Sequence, residues 1–217
     1  MSVDNKYLSK LEKYKYKYAY DKILEKINKI YDASSFIRVD NNKKKNGDTE
    51  YNLTYGEITN DGIRNIIKFL KEEKLSCCNF MDLGCGNGRS LALARLNGFT
   101  YALGVEIVDT RYDFALNAIE KLSSKIKENI VIEKEDLFNL DSSFFLENSV
   151  IFISNLCFPE ETNQKLFTFL SKYVPASSII IVSKIPNVED LHTFKMYKKI
   201  NIPMSWAQSS ECFILIK

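Results

Sequence analysis

Histidine is almost missing from this chain, which has one, His192, among 217 residues. A His-based catalytic triad and a zinc centre both need more imidazole than that, or a Cys/His cluster, so neither is expected. Cysteine is present without a pairing pattern. Cys77, Cys78, Cys85, Cys157 and Cys212 are odd in number, two are adjacent and none stands in a C-x-x-C spacing, which argues for a reducing compartment rather than a disulfide framework. No apolar run comes near the ~20 residues of a membrane span, and no charged-then-apolar leader opens the sequence. The expectation is a soluble intracellular protein, without metal or membrane and monomeric. Arginine is scarce too, five of the 30 basic residues, and the 28 acidic ones leave a formal charge of +2. That balance neither requires nor excludes nucleic acid, although residues 1–50 hold twelve basic and eight acidic residues. The length and the 45% hydrophobic content suit one α/β core. The expected division is a helical and loop appendage at 1–53, then a single domain at 54–217.

The stretch 80–106, FMDLGCGNGRSLALARLNGFTYALGVE, organises the rest. It reads as a buried strand at 80–83, a loop with Gly84, Gly86 and Gly88, a helix at 89–96, a stop at Gly98, and a second strand closed by Glu106. Such a unit lets backbone N–H groups approach a ligand at the first strand's end, and the acid at the second strand's tip can accept both hydroxyls of a ribose. A dinucleotide fingerprint would have glycine where Arg89 stands. It would also have no use for Asp82, whose charge repels phosphate at a helix N-terminus. An acid suits a cation. S-Adenosylmethionine carries a sulfonium, an ammonium and a ribose diol but no phosphate, and D-L-G-C-G-N-G resembles motif I of the Rossmann-like methyltransferases that use it.

Upstream, Tyr7, Leu11, Tyr14 and Tyr18, then Ile23, Ile27 and Ile30, fall at helical spacing over 5–31. Lys13, Lys15 and Lys17 alternate with tyrosines and either grip a phosphate backbone or form a solvated face with the tyrosines packed inward. Residues 41–48 read as an exposed loop whose Lys43, Lys44 and Lys45 touch DNA or stay solvated. Tyr55, Gly56 and Glu57 precede an amphipathic helix at 61–74 with Thr59 or Asn60 as its cap. Downstream come a helix at 109–125, a strand at 130–133, a buried strand at 149–154, a helix at 160–173, a buried strand at 178–184, and two final strands near 194–201 and 211–217. Ligands of an open parallel sheet lie beyond the strands' carboxyl ends. Asp136 is therefore positioned to accept from an adenine amino group, with Leu137 or Phe138 against the ring, or else it caps a turn. The predicted fold is α/β: a Rossmann-like, seven-stranded class I methyltransferase sheet, helices on both faces, and a small helical N-terminal appendage.

Methyl transfer from a sulfonium needs a lone pair held in line in a dry pocket. Asn155 and Phe158, at a strand end, fit the amide and the aromatic wall of such a pocket, and Trp206 fits a second wall. Asn155-x-x-Phe158 also looks like the N-P-P-[YF] motif of amino-methyltransferases, with Leu156 and Cys157 in place of the prolines. Taken together, T-Y-G-E-I at 54–58, D-L-G-C-G-N-G at 82–88, G-V-E at 104–106, E-D-L-F at 135–138, I-F-I-S-N-L-C-F at 151–158, I-V-S-K at 181–184 and M-S-W at 204–206 resemble the disruptor-of-telomeric-silencing family of non-SET histone H3 lysine methyltransferases. The resemblance implies that Tyr55, Glu57, Asp82, Gly84, Gly86, Gly88, Glu106, Asp136, Leu137 and Asn155 surround S-adenosylmethionine. It further implies that Asn155, Phe158, Trp206 and Tyr55 serve the transfer to a lysine of histone H3 in the nucleosome, which would put the protein in the nucleus. A non-histone lysine, or a module that binds cofactor or nucleic acid without turnover, are the alternatives. The pattern departs from the family at Ser154, Leu156 and Arg89.

Overall fold

The computed structural model describes residues 10–32, 44–46, 49–51, 56–187 and 193–217. Its elements run α1 (Lys10–Asp32), β1 (Lys44–Asn46), β2 (Thr49–Tyr51), α2 (Asn60–Glu72), β3 (Asn79–Leu83), α3 (Arg89–Leu96), β4 (Tyr101–Glu106), α4 (Asp109–Glu120), α5 (Ser124–Lys127), β5 (Ile130–Lys134), β6 (Ser149–Ile153), α6 (Glu160–Tyr173), β7 (Ile179–Val182), β8 (Lys195–Met204) and β9 (Ala207–Ile216). Seven of the strands make one sheet in the order β5-β4-β3-β6-β7-β9-β8. The first five are parallel, β9 runs antiparallel beside β7, and β8, antiparallel to β9, runs in the direction of the first five.

Both faces of this sheet are covered, so its central strands are near-continuous apolar runs rather than alternating ones. The two-residue period of a strand then sorts the side chains. Phe80, Phe152 and Ile181 pack on one face with Ile27 and Tyr31 of α1, Ile63 and Ile66 of α2 and Leu91 of α3. Met81, Ile151, Ile153 and Val182 pack on the other with Leu166, Phe169 and Leu170 of α6. Fully burying each of these side chains contributes about 1.5–3 kcal/mol. By the same alternation Asp82 shares a face with Phe80, and this carries a carboxylate to the end of β3 on the α3 side.

Helix α1 runs antiparallel along α3. Tyr31 Oη donates to the carbonyl of Gly88 at the start of α3, and Tyr20 Oη donates to Asn97 Oδ1 just past its end. Ahead of Tyr20 the side chains of α1 that are described are exposed, including Tyr16 at 57% and Tyr18 at 52%. The expected inward packing of Tyr18 therefore does not occur: a two-residue Lys-Tyr alternation cannot keep every tyrosine on one face of a 3.6-residue helix.

Three boundaries differ from expectation. The helix at 109–125 is two, because the chain turns after Lys121 and Ser123 takes the N-cap position of α5. The region 41–48 holds part of a small antiparallel ladder, with Lys44 opposite Tyr51 and Asn46 opposite Thr49. The last two strands are ten residues each and meet at Ser205 and Trp206, since β8 continues through Pro203. A proline is tolerated there because β8 is the sheet's edge, and the ladder shifts register between Ile202 and Met204.

Candidate active site

The carboxyl ends of β3, β4, β5 and β6 lie side by side, and the loop after β3 is the centre of the site. Gly84 has φ +95°, and a Cβ placed on it would meet no atom within 4 Å. The loop thus offers an open backbone face, and α3 follows it directly with Gly88 as N-cap. Glu106, buried at the tip of β4, braces the loop from behind. Its Oε2 accepts from Gly86 N at 2.8 Å and its Oε1 from Val108 N at 2.8 Å. With Ile107 N also bonding this carboxylate, its remaining lone-pair capacity is what a ligand hydroxyl would use. Burial pushes the Glu106 pKa up, against the Val108 hydrogen bond and the Arg111 charge.

Residues 56–59 cross the mouth of this loop as a strap held from two sides. Its main chain is fixed to the β8–β9 turn: Ser205 N donates to Glu57 O at 2.7 Å, Glu57 N donates to Ser205 Oγ at 3.0 Å, and Thr59 N donates to Pro203 O at 3.2 Å. Thr59 also caps α2 by accepting from Gly62 N, so of the two expected caps it is the one used. The Trp206 ring lies over Gly56 so closely that a Cβ there would stand 2.1 Å from Cζ3. From the other side, Glu57 Oε1 accepts from Asn87 Nδ2 at 2.5 Å. Strap, loop and β3 end line a narrow cleft of about 10 Å³, room for little more than a water, whose lining includes Glu57, Asp82, Gly84, Ser90 and Ser154.

Asp82 is buried and accepts a short hydrogen bond from Ser90 Oγ. Burial raises its pKa from 3.8 to about 7, with the Glu106 and Glu57 charges adding to the rise and Ser90 opposing it. The folded protein therefore holds a proton on Asp82 that the unfolded chain has released by pH 4. This group's contribution to stability falls as pH rises from 4 to 7, by up to about 1.4 kcal/mol per unit. A cationic ligand prefers the ionised form. Affinity for it is expected to weaken up to about tenfold per unit as pH drops below 7, with a proton released on binding. Calorimetry near pH 6 in two buffers of different ionisation enthalpy measures that proton directly.

The remaining candidates divide. Asp136 is buried at the end of β5, where its Oδ1 accepts from Phe138 N at 3.0 Å and so caps the 3-10 turn Leu137–Asn139. Phe138 meets Phe169 edge-on at 5.9 Å, with Lys165 Nζ over its ring at 4.2 Å, which ties it to α6 rather than leaving it for an adenine. Leu137 is half-buried beside it. Asn155 departs furthest from expectation. It is wholly buried, its Nδ2 donates to Asn163 Oδ1 and Lys184 O, both at 2.7 Å, and its Oδ1 accepts from Ser183 N at 2.9 Å and Lys184 N at 3.1 Å. Its amide is committed to joining β6, β7 and α6 and is not presented to an acceptor. Ser154 lines the cleft in its stead. Phe158 is half-buried against the α6-side core, and Trp206 is 44% exposed, so it is not a hairpin core residue. Tyr55 and Lys43 lie outside the described residues, as do the side chains of Lys44 and Lys45. Asn87 and Ser154 stand inside the quoted motifs without having been singled out as site residues, and Ser90 lies outside any of them.

The family model for the histone methylation protein DOT1 matches residues 31–208. The chain belongs to this family. A comparison with curated proteins gave no match. Among solved structures, the methyltransferase domain of bacterial CtHen1-C is similar with a TM-score of 0.54 and 14% identity over 72% of this chain and 97% of that one. Magnesium protoporphyrin IX methyltransferase from Synechocystis PCC 6803, solved with bound S-adenosylmethionine, gives 0.54 and 13% over 73% and 79%. The glycopeptide N-methyltransferase MtfA gives 0.54 and 8% over 72% and 96%. These likenesses are of fold, and they make the sheet that of the class I methyltransferases. As a DOT1-family member the chain is a histone-lysine methyltransferase that uses S-adenosylmethionine. The chemistry of the lining suits that cofactor: its charged residues are acidic, Gly84 presents an open backbone face, and a cation beside Asp82 would favour its ionised form. Among the described residues no His, Cys, Asp and Glu group would hold a metal ion, and no helix is long and apolar enough to cross a membrane.

Proposed function

We propose that this DOT1-family protein methylates the ε-amine of a lysine on histone H3 within the nucleosome, and that it works in the nucleus. The observation that carries the reading is the seating of Trp206 on Gly56 at the lip of the acidic cleft. It joins Gly56 to Trp206, one residue from each of the two motifs that set this family apart from other methyltransferases with the same glycine loop. In this reading Glu57, Asp82, Gly84, Gly86, Gly88 and Glu106 hold the cofactor, with Asp136 and Leu137 at its base end. Trp206 and Phe158 line the lysine's path, and Tyr55 borders both.

When bound, the cofactor supplies a methyl group on a cationic sulfur, open to in-line attack. The protein's task is to bring a neutral amine to it. A lysine in water has a pKa of ~10.4, and desolvation against an indole and a phenyl ring lowers it without a strong base. Asn155 serves by holding the ends of β6 and β7 in register. Lys13, Lys15 and Lys17, exposed on α1 with Tyr16 and Tyr18, supply a contact for nucleosomal DNA.

The test is labelled S-adenosylmethionine with reconstituted nucleosomes and with free histones. Label on H3 is expected from at least one of them. Tight cofactor binding without label on H3 from either would overturn the reading. Replacing Lys13, Lys15 and Lys17 by Glu is expected to flatten the salt dependence of nucleosome binding by roughly 3 units of slope, about 0.9 per lost phosphate contact.

A further inference from the structure

Arg89 is the first residue of α3, where a guanidinium faces the positive end of the helix dipole and gains nothing from it. Its partners lie on two other elements. Nη2 donates to Asn28 Oδ1 at 2.8 Å, while Nη1 stands 3.3 Å from Asp32 Oδ1 and 3.4 Å from Glu57 Oε2. Asn28 and Asp32 belong to the end of α1, and Glu57 belongs to the strap. Asn87 closes the ring: its Oδ1 accepts from Arg89 N at 3.0 Å while its Nδ2 donates to Glu57. The Arg89 and Glu57 side chains are only 17% and 7% exposed. In so dry a setting the geometry of the pair matters, because a displaced partner leaves a charge with neither water nor counter-ion. Reaching three acceptors from one planar fork is a task for Arg that Lys cannot perform.

No residue of α1 lines the cleft among the described residues. Yet α1 holds the guanidinium, the guanidinium holds the Glu57 carboxylate, and that carboxylate holds the strap to the glycine loop. We propose that Arg89 is a positioning residue that couples the seating of α1 to occupation of the cofactor cleft, so that each favours the other. The proposal rests on the reading of the cleft as the cofactor site. Reciprocity follows from linkage: whatever docks or releases the end of α1 changes cofactor affinity, and the cofactor changes the stability of α1 by the same factor.

The experiment pairs hydrogen exchange with calorimetry on the full chain, using S-adenosylhomocysteine as the probe. In the unaltered protein the probe is expected to slow exchange of amides 23–31 at least threefold, although it touches none of them. Asn28→Ala/Asp32→Ala removes the α1 side of the joint and leaves Ile27 and Tyr31 buried, so the fold is retained. This variant is expected to lose the slowing and to bind the probe about fivefold to tenfold more weakly, the low end of measured couplings between sites. Arg89→Lys is expected to restore neither. Unchanged exchange in α1 on binding, or an unchanged dissociation constant in the double variant, would overturn the proposal while the cleft reading stands. Full-strength binding by Gly84→Arg would overturn the cleft reading, and the proposal with it.

Discussion

Gly84→Arg is expected to abolish cofactor binding in a protein that still folds. The position has φ +95°, a region that a residue with a Cβ occupies only under strain, at a cost of about 1–3 kcal/mol. That is a fraction of the stability of a typical domain. The functional loss is larger for two reasons. The new side chain extends from the open face of the loop, where a nucleoside would approach, and its guanidinium competes with a cationic ligand for the acidic lining at Asp82 and Glu57. A loss of at least about 100-fold in affinity, or roughly 2.7 kcal/mol, is expected by calorimetry with S-adenosylhomocysteine. Circular dichroism and a melting curve within a few degrees of the unaltered protein would show that the fold is kept.

Asn155→Ala is expected to act on the fold. On sequence alone this substitution should spare cofactor binding and impair turnover, because the amide sits where an acceptor amine would approach. The structure reverses the order of effects. Removing the amide strands the buried N–H groups of Ser183 and Lys184 and breaks the link to Asn163. Buried donors left without acceptors cost about 1–3 kcal/mol each, so a loss of about 2–4 kcal/mol is expected after relaxation. For a chain of this size that is roughly 5–15 °C in melting temperature. Turnover then falls in proportion to the folded fraction and through misalignment of the β6 end. A variant as stable as the parent but inactive would return Asn155 to a direct role.

The parts of the fold that were legible are those where one local signal dominates. The buried strands β3, β6 and β7 announce themselves as apolar runs because helices cover both faces, and the glycine loop is marked by its own spacing. The sequence carries helix α4 past its end because Leu122 continues the apolar spacing of Ala115 and Ile119 up to the Ser123 break. The extent of β8 was hidden because Pro203 reads as a loop, and only an edge position makes it acceptable in a strand. The site was legible in its acids and glycines and illegible in its joints. Arg89 looked like a mere departure from a pattern, because its partners Asn28, Asp32 and Glu57 lie 61, 57 and 32 residues away. Trp206 and Gly56 carry no mark of mutual contact, being brought together by the hairpin.

The strap's anchor has a further consequence for biosynthesis. Glu57 is fixed by Ser205, which follows it by 148 residues. While the protein is still being translated, the glycine loop and the strands beside it can assemble, but the strap is held only from the Asn87 and Arg89 side until the β8–β9 hairpin has been made. A nascent polypeptide therefore carries a half-latched pocket, whose mouth takes its finished form only when β8 and β9 zip onto the sheet.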